Sequence, residues 1–244
     1  MTYCVGALLD QGLVLASDTR TNAGVDNVAS FCKMSIFSVP GKRNIILLSA
    51  GNLAITQTAI ALISEWRNGK GSKHNIDKAP SMFRVAAIVG EALREVYRQD
   101  ADFLKKHNTE FNATFILGGQ IKGEKPRLFQ VYGAGNFIEA QAETPFVQIG
   151  EIKYGKPVFD RLLTMAMPME EAGKLILISF DSTMRSNISV GLPIDLLILR
   201  KDNFKTPKPR RIGEKDAYFS DLRARWGASL RKTFEGLPPL SLDD

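Results

Sequence analysis

Histidine and cysteine are nearly absent: the 244 residues hold two of each. His74 in KGSKHN and His107 in FLKKHN both stand among lysines and polar residues. Such neighbours are expected of solvated surface positions. Neither His nor Cys falls into HExxH, CxxC or zinc-finger spacing, so neither a tightly bound transition metal nor any other cofactor is expected. Cys4 and Cys32 cannot build a disulfide framework, and both sit in apolar runs, where reduced and buried thiols are the plain expectation. No stretch approaches the ~18 uninterrupted apolar residues of a membrane span. The start, MTYCVGALLDQG, has neither a basic n-region nor a long apolar h-region, so a cytoplasmic location is expected. No internal repeat or low-complexity linker is visible, which excludes solenoid and collagen-like architectures.

What is present is ordinary globular composition, 44% hydrophobic and 24% charged, with a net charge of +6. That charge is concentrated. Residues 200–232 hold eleven Lys/Arg against four acids, so this window is +7 and the rest of the chain −1. Its aromatics Tyr218, Phe219, Trp226 and Phe234 mix with Leu222, Leu230 and Leu237 at helical spacing. A packed helix with a basic outer face is therefore expected, in preference to a nucleic-acid or other polyanion partner. Polyanion binding would instead show as affinity falling steeply with salt.

The hydrophobic pattern gives strands at Tyr3–Leu9, Leu13–Ser17, Phe31–Val39 and Asn44–Ser49. A helical face follows over Leu53–Trp66, then a polar loop over Arg67–Lys73. A long helix begins near Pro80, with Val85, Val89, Ala92, Leu93 and Val96 as its stripe. Strands are expected again at Phe111–Leu117 and Pro126–Tyr132, joined by a turn containing Gly118-Gly119 and Gly123. A short strand pair through Phe137 and Phe146–Ile149, helices near Lys156–Met165 and Met169–Ser186, and a strand Pro193–Leu199 complete the order. Blocks of strands and paired helices, without βαβ alternation, suggest two packed sheets with helical layers outside. Nothing marks a domain break: residues 1–244 read as one domain, with 200–244 a basic extension ending in a helix. The segment from Gly118 to Glu124 mimics a phosphate-binding loop, but Glu124 occupies the lysine position and the segment joins two strands.

Hydroxyl chemistry without histidine needs another base, and a free α-amine, with a reference pKa of ~7.7–8.0, can serve. Thr2 follows the initiator Met1, and removal of Met1 would place amine and hydroxyl on one residue. A cation beside the hydroxyl and a carboxylate to hold that cation are also needed. Lys33, interrupting an apolar run, and Asp18, ending the second strand, are the candidates. A backbone N–H at Gly51, after the strand ending Ser49-Ala50, is a natural oxyanion donor.

The order and spacing of these residues resemble the proteasome β-type subunits of the N-terminal-nucleophile hydrolases. The likeness runs through Thr2, the segment Leu13-Val14-Leu15-Ala16-Ser17-Asp18-Thr19-Arg20, Lys33, and Leu47-Leu48-Ser49-Ala50-Gly51-Asn52. The Thr2–Asp18 separation is similar to the family's own, and Lys33 lies one residue short of the usual spacing. The stretch from Ser179 to Gly191 resembles the family's aspartate and serine near the nucleophile. The long second helix, SNISVG and the basic tail are most similar to the bacterial ancestral beta subunit (Anbu) branch. The resemblance implies an α+β fold, a four-layer αββα sandwich of two antiparallel sheets. It implies Thr2 as nucleophile and base, Asp18 and Lys33 tuning it, and the Gly51 amide stabilising the oxyanion. Asp181 and Ser189 would orient the amine, with Ser182 and Ser186 close enough in sequence to exchange roles with Ser189. The implied activity is threonine-type peptide hydrolysis on a peptide or unfolded-protein substrate, by subunits assembled into a homo-oligomeric ring or open spiral. A retained Met1 would block the amine and leave a self-assembling scaffold with little or no proteolysis.

Overall fold

The computed structural model describes residues 2–22, 28–69 and 72–241. The first sheet is fully antiparallel and is built from β1 (Tyr3–Leu9), β2 (Gly12–Asp18), β10 (Phe146–Gly150), β11 (Ile194–Arg200) and β12 (Arg210–Ile212), in the order β10-β1-β2-β11-β12. The second is antiparallel too, with β5 (Met34–Val39), β6 (Arg43–Gly51), β7 (Ala113–Ile121), β8 (Arg127–Val131) and β9 (Phe137–Glu139) in chain order. A small ribbon of β3 (Arg20–Asn22) and β4 (Val28–Ser30) stands apart. The helices are α1 (Leu53–Asn68), α2 (Met82–Lys106), α3 (Lys156–Leu162), α4 (Met169–Ser186) and α5 (Ala217–Glu235).

Period-two alternation assigns each strand face to a layer. On β1, Tyr3, Val5, Ala7 and Leu9 pack toward α3 and α4, while Cys4 faces the other sheet. On β6, Ile45 and Leu47 pack under α1 and α2, while Ile46, Leu48 and Ala50 face inward. The result is a four-layer αββα sandwich with three apolar interfaces. Val85, Val89, Ala92, Leu93 and Val96 are all fully buried along α2, as their spacing predicts. Phe180 of α4 is also fully buried and lies 4.6 Å, centroid to centroid, from the Tyr3 ring. Phe180→Ala is expected to lower the unfolding free energy by about 3–5 kcal/mol, read as a lower urea midpoint at unchanged slope.

Several expectations are corrected. Gly118 and Gly119 are not in a turn but inside β7; the turn holds Gly123, at φ +93°. A Cβ on Gly119 would lie 2.3 Å from the Asn44 carbonyl oxygen, and one on Gly118 3.1 Å from Leu15 Cδ1, so these glycines serve close approach. The strand expected from Phe31 begins at Met34, and Phe31 is exposed. Cys32 is exposed as well, although Cys4 is buried, because the apolar run around Cys32 is a loop rather than a strand. Phe137 and Phe146–Ile149 do not pair with each other; their strands belong to different sheets. His74 is half-buried, its ring 4.8 Å from that of Trp66.

The tail helix forms, but it packs only near its start. Phe219 is buried and Leu222 partly so against the α4 side of the first sheet, whereas Leu230, Phe234 and Leu237 are exposed. The apolar stripe therefore runs past the surface that α4 provides.

Candidate functional site

Thr2 sits immediately before β1, at the end of a strand whose sequence is almost wholly apolar and therefore buried on both faces. Its backbone is clamped from two sides. The Glu151 N–H donates to the Thr2 carbonyl at 2.7 Å, and the next residue's N–H, that of Tyr3, donates to Asp18 Oδ1 at 3.1 Å. Tyr3 is anchored in turn. Its hydroxyl meets Ser179 Oγ at 3.0 Å and accepts from Gln148 Nε2 at 2.5 Å. Desolvation by burial pushes the Tyr3 phenol well above its ordinary range, so it stays neutral and serves as a fixed post.

Asp18 ends β2, paired in register with Ile194 of β11, and is completely buried. Lys33, leaving the β3–β4 region just before β5, is buried too, and its ammonium donates to Asp18 Oδ1 at 2.7 Å and to the Arg20 carbonyl at 2.5 Å. The shorter Thr2–Lys33 spacing thus still brings ammonium and carboxylate into contact. Burial pushes the Asp18 carboxyl up to about 6, against the lowering effects of the Lys33 ammonium and the N–H groups of Tyr3 and Gly191. Desolvation dominates because Asp18 is completely buried, and among the described residues its Oδ2 has no hydrogen-bond partner.

Thr2, Lys33, Ser49, Ala50 and Gly51 line one cavity of about 480 Å³, whose other walls include Thr21, Leu53, Thr56, Asn112, Thr114 and Gly150. Gly51 closes β6 at φ +111°, where a Cβ would stand 2.3 Å from the Asn112 carbonyl oxygen, so glycine is required there. Asn52 then caps α1, its side chain accepting from the Ala54 N–H at 2.9 Å. The strand-to-helix turn leaves Gly51 on the cavity wall beside Thr2 and Lys33.

Thr2, Lys33 and Gly51 are therefore brought together, with Asp18 directly behind Lys33. Asp181 and Ser189 do not line this cavity. Asp181, buried on α4, accepts from Arg223 Nε at 2.6 Å and from Arg185 Nε at 3.2 Å, tying α5 to α4. Ser189 is half-buried, and its N–H donates to Asn187 Oδ1 at 2.9 Å. Sequence reasoning missed Glu151 and Asn187, both buried, with Asn187 Nδ2 donating to Glu151 Oε2 at 2.9 Å. A lone acid after a short strand carries no pattern of its own. Only strand pairing across about 150 residues places it beside Thr2. Met1, on whose removal the free amine depends, lies outside the described residues.

Among the described residues, no group of three or more His, Cys, Asp or Glu side chains is arranged to hold a metal ion. No helix among them is long and apolar enough to cross a membrane.

Comparison with known proteins places the fold in a family. The family model described as Proteasome subunit matches residues 2–199. An Anbu Gly-1 mutant from Hyphomicrobium sp. strain MC1 is 49% identical and superposes with a TM-score of 0.92, covering 99% of this chain and 100% of that one. The helical assembly of the Anbu complex from Pseudomonas aeruginosa gives 44% identity and a TM-score of 0.93, with 98% of each chain covered. Proteasome subunit beta type-7 of Dictyostelium discoideum is 26% identical over 218 residues, 86% of this chain and 74% of that protein. The chain belongs to the proteasome subunit family, with close structural likeness to Anbu, the ancestral beta subunit.

Proposed function

We propose that the chain is a threonine-type amidohydrolase, acting as a peptidase on short or unfolded peptides, once Thr2 is the first residue. The observation that carries this reading is the single cavity on which Thr2, Lys33 and Gly51 converge, with Lys33 held by buried Asp18. The Thr2 hydroxyl gives its proton to the α-amine as Oγ attacks the substrate carbonyl. The Lys33 ammonium favours the alkoxide, and the Gly51 N–H faces the oxyanion. The carbon–nitrogen bond then breaks, the ammonium returns the proton to the leaving amine, and an ester remains on Oγ. Water releases that ester by the same proton path in reverse.

A second reading, a self-assembling scaffold with little proteolysis, is favoured by exposed Leu230 and Phe234 on α5 and Leu237 just after it. The Pseudomonas aeruginosa relative forms a helical assembly, and a homo-oligomer of this cytoplasmic chain would cover such a stripe. The two readings part at the N-terminus. Intact mass of the purified protein is expected to lack Met1 and, after treatment with a β-lactone, to gain the whole lactone mass on the Thr2 peptide. Retained Met1 with no adduct would leave the scaffold reading in its place.

A further inference from the structure

Glu151 is a buried carboxylate for which the described residues supply no ion pair. Its Oε2 accepts from Asn187 Nδ2 at 2.9 Å, and its Oε1 meets the Lys153 N–H only at 3.4 Å. Neither contact supplies the positive charge that a carboxylate excluded from water calls for. Yet the same residue's N–H is bonded to the Thr2 carbonyl at 2.7 Å. The approach is built in: Gly150 has φ +83°, and a Cβ there would lie 1.9 Å from the Thr2 oxygen. Glu151 therefore follows directly on the strand that pairs with the start of β1, with its backbone against Thr2. The missing cation is therefore the one that Thr2 carries when it is the first residue.

We propose that Glu151 is a positioning residue for the Thr2 α-amine: its carboxylate, held by Asn187, orients the amine and stabilises it as the ammonium formed when Oγ gives up its proton. This rests on the amidohydrolase reading for its catalytic consequence, but not for the electrostatic contact itself. The charged groups around Thr2 then divide by role. From the end of β2 and the segment before β5, Asp18 and Lys33 form an internally neutral pair on the hydroxyl side. From the end of β10, Glu151 is the lone carboxylate on the amine side, and the Asn187–Ser189 segment adds hydrogen bonds without charge. The proton moves only between Oγ, the α-amine and the leaving group.

The test compares wild type, Glu151→Gln, Glu151→Asp and Asn187→Ala, each prepared with Thr2 as first residue and checked by mass. The probe is the pH dependence of α-amine acetylation by acetic anhydride, read on the N-terminal peptide by mass spectrometry. Glu151→Gln is expected to lower the amine's proton affinity about tenfold, one pH unit in the profile, with partial recovery in Glu151→Asp. Asn187→Ala, which leaves the carboxylate but releases it, is expected to move the profile in the same direction by less. On peptide substrate, kcat should fall while KM holds. Should Glu151→Gln fail to fold, the Asp and Asn187→Ala proteins carry the same readout. Unshifted acetylation profiles in the folded variants would overturn the assignment. Shifted profiles in proteins that cleave no peptide, wild type included, would sustain the contact and sink the amidohydrolase reading instead.

Discussion

Thr2→Ala is expected to reduce peptide turnover by at least about 10³-fold and to abolish the lactone adduct, since the acyl intermediate forms on Thr2 Oγ. Stability should change by no more than about 0.5 kcal/mol, because the half-buried side chain is not part of the core. The contacts that fix this residue are backbone ones: the Glu151 N–H on its carbonyl and the Tyr3 N–H on Asp18. Alanine keeps both. Equal melting temperatures with lost turnover would therefore assign the loss to chemistry. Turnover that survives in Thr2→Ala would place the reaction elsewhere or in a contaminant.

The pH profile of the wild-type enzyme follows from two groups on either side of Thr2. Asp18, pushed up to about 6 by burial, must be ionised to balance Lys33. The α-amine must be neutral to accept the Oγ proton, and its reference value is ~7.7–8.0. Both requirements make activity rise with pH, so kcat/KM should climb from pH 5.5 to 8.

The layered fold was legible because its cause is local. Alternation in Tyr3–Leu9 and the seven-residue spacing of Val85, Ala92 and Val89, Val96 report which faces are buried, and burial decides the sheets and helices. The convergence of Thr2, Lys33 and Gly51 on one cavity, with Asp18 behind Lys33, was expected for a different reason: two histidines, both in polar lysine-rich segments, leave hydroxyl activation few devices, and the order of these residues resembles a family. Glu151 and Asn187 were not legible, because their meaning comes from the pairing of Tyr3 with Gly150 and from the loop after α4. Gly118-Gly119 misled because adjacent glycines signal turns locally, while the close approach that requires them in β7 is a long-range fact. The exposed end of α5 misled similarly: helical spacing of Leu230, Phe234 and Leu237 predicts a stripe but not the surface that covers it.

Removing Lys33 should give the largest stability effect in the site, and a pH-dependent one. Lys33 and Asp18 are 5% and 0% exposed, and among the described residues Asp18 Oδ2 is already without a partner. Lys33→Ala at pH 8 leaves an ionised carboxylate buried with only N–H donors, which costs about 3–5 kcal/mol for a broken buried pair. The sign with pH follows from proton binding. In the folded wild type the Asp18 carboxyl sits near 6, above its ordinary 3.8, so between those values the folded state binds more protons than the unfolded one. Asp18 therefore contributes stability that falls as pH rises through that window, and flattens above it. Without Lys33 the largest lowering influence on Asp18 is gone, its folded value moves higher, and the decline extends to higher pH. Urea midpoints of wild type and Lys33→Ala should thus differ strongly at pH 8 and much less at pH 5, where both carry protonated Asp18. Asp18→Asn added to Lys33→Ala should recover part of the pH 8 loss and none of the activity, because the cation that favours the alkoxide is still missing. Equal losses at both pH values would mean that Lys33 stabilises through packing alone, and the ion pair would lose its place behind the nucleophile.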